Sequence, residues 1–225
     1  MASDLFRDDY EKLCQIAADE FEAPYFFQTE YTDPGSMRGH AQLRNDTTTA
    51  ILREEGKATF HQGIFIDIFP LDNMPADKKL RNRQLRRTWF LNKLIFLCGC
   101  GEPIIPLTGW KKQLAAVICR CAHFGLKLFH VSPRFLYKLL VREETRYDKE
   151  DTEYMNAFEV TMSDKAYISR KELYPLRKMP FENLMVSMPN KYDTYLKRLF
   201  GDYMTLPPED KRVNHCPVVL EFGEE

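Results

Sequence analysis

A single aspartate within an apolar run is the residue whose position most calls for a chemical explanation. Asp67 lies in residues 63–69 (GIFIDIF), a segment bounded by a glycine and by Pro70. The run predicts an interior strand covered on both faces, with Phe65, Asp67 and Phe69 on one side and the isoleucines on the other. An ionised carboxylate inside a fold is strongly unfavourable unless a basic partner, a raised pKa or a metal ion compensates it.

Two explanations of Asp67 stay open from its spacing. Aspartates on central strands that share divalent ions with other carboxylates are how nucleotidyltransferase folds bind Mg²⁺ and nucleotide phosphates. Alternatively, the carboxylate pairs with an arginine such as Arg44 or Arg53. We expect Asp67 to face a polar cleft if it is functional. Asp72 follows Pro70, and Asp-Asn beside a proline is typical of a turn.

Other residues whose side chains could bind metal or anionic groups have simpler structural explanations. Cys98-x-Cys100 and Cys119-x-Cys121 suggest zinc ligands, but residues two apart on a helix point about 200° apart, so the second pair cannot chelate from a regular helix. Six basic residues of one predicted helix could face anionic lipid or acidic glycan, although their spread around the helix is typical of a solvated surface. They are Lys78, Lys79, Arg81, Arg83, Arg86 and Arg87.

Three further candidates depend on where the fold places them. His61 precedes the predicted strand and His215 lies near the C-terminus, so both could approach the site; a structural histidine is the alternative for each. Glu182 could act as a general base in an acceptor pocket. A hairpin-turn residue is the equally good alternative for Glu182.

The elements that must position these residues alternate between strands and helices within one domain, residues 1–225. A helix begins at an expected N-cap, Asp8, with Glu11 completing a capping box. Strands are predicted at 25–31, 41–44, 48–52, 63–69 and 154–160, and helices at 77–97, 110–129, 133–146 and 191–200. Ser169 and Glu172 form a second capping box, residues 178–188 a hairpin that turns at Glu182, and Asn190 the cap of the last helix.

Composition bounds the function further. The chain has 225 residues, 32 Lys and Arg against 33 Asp and Glu, and six cysteines. This balance provides no overall attraction to nucleic acid or to an anionic membrane, so any such attraction must be local. We interpret the cysteines as reduced thiols of a cytoplasmic protein without a secretion leader. The longest apolar stretch, residues 114–129, is interrupted by Arg120, His123 and Lys127, so it predicts no spanning helix. Peripheral association with the inner face of the membrane stays open.

Four stretches, in order, resemble the LicD family of phosphotransferases. Residues 63–72 (GIFIDIFPLD) are similar to its signature segment, and residues 7–11 (RDDYE) to the R-x-D-Y-E that follows its acidic motif. Residues 43–48 (LRNDTT) resemble its basic-x-D-x-T stretch. The C-terminal pattern of the family is matched by Phe181, Glu182, Pro189, Tyr195, Leu196, residues 201–204, residues 206–208, Arg212 and His215. Four matches in order are specific where one would be weak.

The resemblance implies an α/β fold with a nucleotidyltransferase-like mixed sheet flanked by helices, and a helical insertion at about residues 77–147. Known members transfer phosphocholine, or a related phospho-alcohol, from a CDP-activated donor such as CDP-choline to a cell-surface glycan (lipopolysaccharide, teichoic acid or capsule). The fukutin-type ribitol-phosphate transferases are relatives. Mg²⁺ or Mn²⁺ would bridge the donor phosphates and neutralise the charge that develops on the leaving CMP.

The resemblance also implies roles for particular positions. Asp67 would be a catalytic carboxylate and metal ligand, and Glu182 and His215 would be further catalytic residues. Six positions would contact substrate: Arg7, Arg44, Asp46, Thr48, His61 and Arg212.

One departure from the family pattern changes what we expect of this chain. In the family, an Asp-Asp-Asp-x-Asp run on the first core strand ends a few residues before R-x-D-Y-E. Aligned in this way, its last aspartate falls on Ala2 and the others precede Met1, so we expect the first core strand to be missing. Asp4 falls where the family has no catalytic residue. A single carboxylate cannot hold a metal pair that usually needs three, so we expect the chain as given to be inactive.

The alternative function belongs to a different class. A degenerate paralogue or fragment would keep only the surface that binds an acceptor or a protein partner, without chemistry.

Overall fold

The computed structural model describes residues 2–55, 60–105, 107–158, 165–209, 212 and 217–223. Its strands are β1 Ala2–Phe6, β2 Tyr25–Gln28, β3 Ala41–Asn45, β4 Thr49–Leu52, β5 Ile64–Met74, β6 Tyr154–Asn156, β7 Tyr167–Ser169, β8 Arg177–Phe181, β9 Leu184–Met188 and β10 Pro217–Glu221. Its helices are α1 Arg7–Glu20, α2 Lys78–Gly99, α3 Gly109–Leu128, α4 Pro133–Glu144, α5 Arg170–Leu173 and α6 Tyr192–Phe200.

A six-stranded mixed sheet organises the fold, and the predicted α/β class is confirmed. Its order is β2-β3-β5-β6-β7, and β1 also pairs with β5. The β1–β5 pairing is parallel and the others are antiparallel. Two antiparallel ribbons, β4–β10 and β8–β9, complete the described strands. The predicted strands 41–44 and 48–52 therefore both form, but β3 pairs with β2 and β5 and β4 pairs with β10, so they do not pair with each other.

The predicted interior strand is confirmed, and it is longer than the apolar run that predicts it. β5 pairs with β3, β1 and β6 and continues through Pro70 to Met74. The prediction that Asp72 lies in a turn is therefore wrong. The strand continues because Leu71 and Met74 are buried and β6 pairs with its last three residues.

The start of the chain also differs from expectation. We expect the first core strand to be missing, yet Ala2–Phe6 form β1, in which Ala2 is the partner of Asp67. The strand leads directly into α1, so Phe6 occupies the N-cap without a side-chain hydrogen bond and Asp8 is not the cap. Asp8 and Asp9 lie instead in the first turn, where negative charge is favourable next to the helix dipole.

The two faces of β5 pack against different cores. On the α1 face, Ile68 packs with Tyr10, Ala17, Phe27 and Ala41. On the other face, Phe69 and Leu71 pack with Met155, Ala157, Ile168 and Leu173. This alternation confirms the predicted orientation of the strand and places Asp67 on the Phe69 face.

Three helices, α2 to α4, lie between β5 and β6, where the sequence predicts a helical insertion. Asp77 caps α2 by accepting hydrogen bonds from the backbone N–H groups of Lys79 and Leu80. Ile95 of α2 packs against Leu136 and Leu140 of α4. Among the described residues no single helix is long and apolar enough to cross a membrane; α3 and Pro133–Tyr147 reach that composition only together, bent by 110°.

The C-terminal third follows most of its local signals. Ser169 and Glu172 make both hydrogen bonds of the predicted capping box, and β8 and β9 form the predicted hairpin. The predicted N-cap at Asn190 is wrong, because its backbone N–H donates to the carbonyl of Leu173 and α6 is preceded by Lys191. Within the predicted strand 154–160, β6 covers Tyr154–Asn156, and residues 159–160 lie outside the described part of the chain.

Candidate active site around Asp67

Asp67 lies at the centre of a row of residues that crosses the sheet. Gln28 of β2 is paired with Gln42 of β3, Gln42 with Asp67, and Asp67 on its other side with Ala2 of β1. Directly opposed residues of antiparallel strands place their side chains on the same face. The sheet therefore presents a polar row, Gln28–Gln42–Asp67, on the face opposite α1.

The carboxylate of Asp67 is held by two nitrogen donors and remains partly accessible. His40 Nε2 and Gln42 Nε2 lie 3.0 and 2.7 Å from its Oδ1, and 21% of the side chain is exposed. Burial alone would raise the pKa of Asp67, but the hydrogen bonds from His40 and Gln42 and the positive charge of Arg38 lower it below its ordinary value. Asp67 is therefore an anion at neutral pH. Both hydrogen bonds end on Oδ1, so Oδ2 is the oxygen that can accept a cation.

A buried arginine positions the donor to Asp67. Arg44 is fully buried; its Nη2 donates to Gln42 Oε1 at 2.8 Å and its Nε to Gln28 Oε1 at 2.7 Å. Its Nη1 donates to the carbonyl of Gly63 at 3.0 Å. Because these bonds occupy Gln42 Oε1, the amide nitrogen of Gln42 must point to Asp67. Burial lowers the pKa of Arg44, and nearby carboxylates such as Glu55 oppose that shift.

The alternative explanation, in which Asp67 pairs with an arginine, therefore holds only indirectly. Arg44 reaches Asp67 through Gln42, and Arg53 is exposed. The substrate-binding role of Arg44 stays a prediction; the structure shows a buried guanidinium that positions Gln42.

A second group of residues lies at the end of the polar row. Asp33 Oδ2 accepts hydrogen bonds from Gln28 Nε2 at 2.7 Å and from the backbone N–H of His61 at 2.8 Å. The imidazole of His61 stacks on Phe26, with ring centroids 3.7 Å apart, and its Nδ1 lies 2.7 Å from Asp46 Oδ2. His61 and Asp46 are both exposed, so this pair lies at the surface, and we call it the rim of the candidate site. The rim is joined to Asp67 through the buried glutamines of the polar row.

Thr48 supports the strand rather than the rim. Its hydroxyl donates to the carbonyl of Asn45 at 2.6 Å and accepts from the backbone N–H of Ile64 at 2.8 Å. These bonds hold the turn after β3 against the first residue of β5. Of the predicted site residues, the structure thus brings Asp67, Arg44, Asp46, Thr48 and His61 into one connected region.

Arg7 belongs to a different cluster on the opposite face of β5. Its guanidinium donates two hydrogen bonds to Asp72, at 2.7 and 2.5 Å, and one to Glu144 at 2.9 Å. All three side chains are less than 10% exposed. Burial would lower the pKa of Arg7, but Asp72 and Glu144 raise it above its ordinary value. We call this group the Arg7 cluster; it joins α1, β5 and α4.

The remaining predicted residues lie in the C-terminal third. Glu182 is the first turn residue between β8 and β9; it is exposed and has a φ of 53°. Arg212 is exposed and its Nε donates to the carbonyl of Pro207 at 2.9 Å. His215 lies outside the described residues. The catalytic and substrate-binding roles of these three residues stay predictions.

Two residues of the site are absent from the sequence-based candidates. His40 and Gln42 contact Asp67 directly, and a period-two pattern could have identified them. Residues 40, 42 and 44 (His, Gln, Arg) are polar, whereas the intervening Ala41 and Leu43 are apolar. Such alternation places three polar side chains on one face of a strand.

Two surface depressions of the described chain lie away from Asp67, and the cleft expected at Asp67 stays a prediction. These depressions, of about 520 and 290 Å³, are lined by residues of the helical region rather than by Asp67. The larger is lined by Lys79, Asn82, Arg83, Leu85 and Arg86 of α2. Three of the six basic residues singled out on this helix thus lie together on one surface.

Among the described residues, no group of three or more His, Cys, Asp or Glu side chains is arranged to hold a metal ion. The five cysteines it includes are free thiols: Cys14, Cys98, Cys100, Cys119 and Cys121. Asp67 is therefore not joined to two further metal-ligating side chains among the described residues.

Comparison with known proteins gives one relative. The chain is 23% identical to the lipopolysaccharide cholinephosphotransferase LicD of Haemophilus influenzae over 216 residues, which cover 94% of this chain and 76% of that protein. No protein-family profile matches the chain, and no solved structure matches it. The chain is therefore similar to a LicD protein over nearly its whole length, at the level of a distant relative.

Proposed function

We propose that this chain is a LicD-type phosphotransferase domain that moves phosphocholine, or a related phospho-alcohol, from a CDP-activated donor to a cell-surface glycan. The observation that carries the proposal is the position of Asp67 on the central strand of the sheet. This strand belongs to a chain that is similar to LicD along nearly its whole length. The proposed nucleotidyltransferase-like character of the core rests on the same strand.

The electrostatics of Asp67 favour one role over another. A general base works best when its pKa lies near the operating pH. The pKa of Asp67 is instead below its ordinary value, so its carboxylate is a weak base and a persistent anion. Such a group is suited to bind a cation that in turn neutralises phosphate charge. We therefore assign cation binding, rather than proton abstraction, to Asp67.

The described residues do not by themselves fit a Mg²⁺ or Mn²⁺ site. Mg²⁺ requires near-octahedral oxygen coordination and dehydrates reluctantly, whereas Asp67 offers one free carboxylate oxygen. The backbone of Ala2 lies directly beside Asp67. The resemblance implies that this position takes the last aspartate of the family's acidic motif. A carboxylate at this position would lie on the strand next to Asp67, so we propose that metal binding requires acidic residues on β1.

The test is a donor-turnover assay with three matched proteins. The first is the chain as given, the second carries an Asp-Asp-Asp-x-Asp segment that ends at position 2, and the third adds Asp67→Asn to the second. CMP release from CDP-choline is measured with Mg²⁺, with Mn²⁺ and with chelator. We expect metal-dependent turnover in the second protein alone. Asp193→Asn, an exposed change on α6, serves as the control in the extended background.

Two results would contradict the proposal. Turnover that survives Asp67→Asn would remove Asp67 from the site. Rapid metal-dependent turnover by the chain as given would show that carboxylates on β1 are not needed. If no protein of the series releases CMP but all of them bind glycan, the result supports the second candidate, a non-catalytic binding module. That candidate is favoured because no group of three or more metal-ligating side chains is found among the described residues.

A further inference from the structure

Helix α3 exposes an apolar face that no described part of the protein covers. Six large side chains recur at helical spacing along it and are between 52% and 68% exposed. They are Trp110, Leu114, Val117, Ile118, Phe124 and Leu128. At 100° per residue they fall within a stripe of about 120°, which runs the length of a helix of about 30 Å. The apolar residues are therefore concentrated on one side rather than scattered.

The opposite side of α3 attaches the helix to the protein. Ala115, Cys119, Ala122 and Leu126 lie on that side and are partly buried. His123 Nδ1 lies 2.6 Å from the carbonyl of Leu97, at the end of α2. The orientation of α3 is thus set by contacts with α2, and it directs the apolar stripe outward.

The charged residues in and around α3 are almost all basic. Between residues 78 and 142 there are 14 Lys and Arg but a single acidic residue, Glu102, although the whole chain is almost balanced at 32 to 33. Lys111 lies at one margin of the apolar stripe, and Arg120 and Lys127 at the other. Arg120 Nε lies 3.3 Å from Glu102 Oε1. All three basic residues are exposed. The stripe is therefore bordered by positive charge on both sides.

We propose that α3 lies in the plane of an anionic membrane surface, with its apolar stripe among the acyl chains and its basic margins at the lipid headgroups. Helices with this arrangement bind interfaces through buried apolar area and attraction to anionic lipid. The lysines reach outward from both margins while their stems stay on the apolar side.

A second copy of this chain is a poorer occupant of the same face. A symmetric dimer would bring the same patch of both copies together, and with it two sets of basic margins. Like charges that face each other across an interface oppose association, whereas anionic headgroups complement them. The predominantly basic charge between residues 78 and 142 therefore selects the lipid surface.

Vesicle co-sedimentation of the full chain tests the proposal. The probes are vesicles of phosphatidylcholine alone and vesicles of phosphatidylcholine mixed with phosphatidylglycerol. We expect binding to the mixed vesicles that weakens as salt is raised. Leu114→Asn with Phe124→Asn should lower the partition coefficient at least tenfold. Lys111→Gln with Lys127→Gln should lower it roughly fivefold per charge, on the mixed vesicles only.

A matched control and a depth probe make the result specific. Met204→Asn with Leu206→Asn removes two apolar side chains that are at least as exposed, outside α3, and should leave binding unchanged. In a Trp89→Phe background, Trp110 fluorescence should shift to the blue on binding and be quenched by brominated lipid. Circular dichroism verifies that each variant is folded.

Three outcomes would overturn the proposal. The first is equal loss of binding in the Met204 and Leu206 control. The second is absence of Trp110 quenching on vesicles that do bind the chain. The third is a dimer by light scattering that becomes monomeric with Leu114→Asn and Phe124→Asn and binds no vesicles, which would assign the face to a second copy. None of these outcomes depends on phosphotransferase activity.

Discussion

Two aspartates of β5, five residues apart, lie in opposite environments. Asp72 is enclosed with Arg7 and Glu144 between the sheet and two helices, and its side chain is 1% exposed. Asp67, on the other face of the strand, is 21% exposed and receives hydrogen bonds from neutral and basic nitrogen donors on one oxygen only. The Asp72 carboxylate is fully bonded to protein groups, whereas the Asp67 carboxylate keeps one oxygen for an external cation.

The difference separates a structural carboxylate from a functional candidate better than sequence context does. Asp72 is neutralised by a guanidinium with two-point geometry, which leaves no free lone pair directed at solvent. Asp67 has no comparable direct ion pair with an arginine among the described residues; Arg44 acts on it through Gln42. A site for an external cation needs this second arrangement.

The largest effect should come from opening the Arg7 cluster. Arg7→Met leaves Asp72 and Glu144 buried without their cation. Breaking a buried ion pair in this way is strongly destabilising, so we expect the free energy of unfolding to fall by about 3–5 kcal/mol. Urea denaturation measures the change, with the exposed Arg86→Met as control. A loss below about 1 kcal/mol would show that the cluster does not hold α1 and α4 to the sheet.

Replacing all three charged residues of the Arg7 cluster tests the same contrast between Asp72 and Asp67 further. A protein with Arg7→Met, Asp72→Leu and Glu144→Leu removes the charges together with their desolvation penalty. Such replacements of buried ionic groups are often neutral or stabilising. We expect the triple variant to regain most of the stability lost by Arg7→Met, and a further loss would show that the charges specify the packing.

A smaller effect is expected at Asp148, which lies beside Asp72. Burial and the charge of Asp72 raise the pKa of Asp148 to about 6, above its value of about 3.9 in an unfolded chain. The folded state therefore binds the extra proton between these values, so this group destabilises the fold above about pH 6 and the effect disappears as the pH falls toward 4.

Asp148→Asn should remove this pH dependence. Its backbone partner, the N–H of Asn73, keeps an oxygen acceptor in the variant. With allowance for partial solvent exposure, we expect a gain of about 1–2 kcal/mol in the free energy of unfolding at pH 7.5 and almost none at pH 4. Urea titrations at both pH values measure it. Equal gains at the two pH values would contradict the raised pKa.

Removal of the Asp67 carboxylate should alter stability less than any change in the Arg7 cluster. The hydrogen bonds from His40 and Gln42 favour the anion, whereas its burial opposes it, so the two effects offset each other. We expect Asp67→Asn to lower the free energy of unfolding by less than about 1 kcal/mol at pH 7. A loss as large as that of Arg7→Met would make Asp67 a structural residue.

The smallest effect is expected at the exposed rim. Asp46 and His61 form a pair in which both side chains are more than a third exposed. Asp46→Asn keeps an acceptor for His61, and exposed ion pairs contribute little, so the unfolding free energy should change by no more than about 0.5 kcal/mol. Urea denaturation of this variant checks whether the rim is free of structural constraint, and a change above about 1 kcal/mol would contradict it.

Local signals in the sequence predict most of the elements. The apolar run of β5, the helix predicted at 77–97 and the Ser169–Glu172 capping box depend on residues close together in the chain, and all three are confirmed. β1 is not predicted because it has only five residues, and the polar side chains at positions 3 and 4 leave no distinct period of hydrophobicity. The end of β5 is not predicted because Pro70 suggests a stop, whereas its backbone continues in pairing with β1.

By itself the sequence determined that Asp67 lies on a central strand, because a strand's period and apolar content are properties of neighbouring residues. Only the tertiary structure decided which partners each carboxylate has. Asp67 meets His40 and Gln42 across 27 and 25 residues, and Arg7 meets Asp72 and Glu144 across 65 and 137. Hydrogen bonds and ion pairs act over a few ångströms in space, so no local pattern distinguishes an accessible carboxylate from an enclosed one until the sheet and helices bring distant residues together.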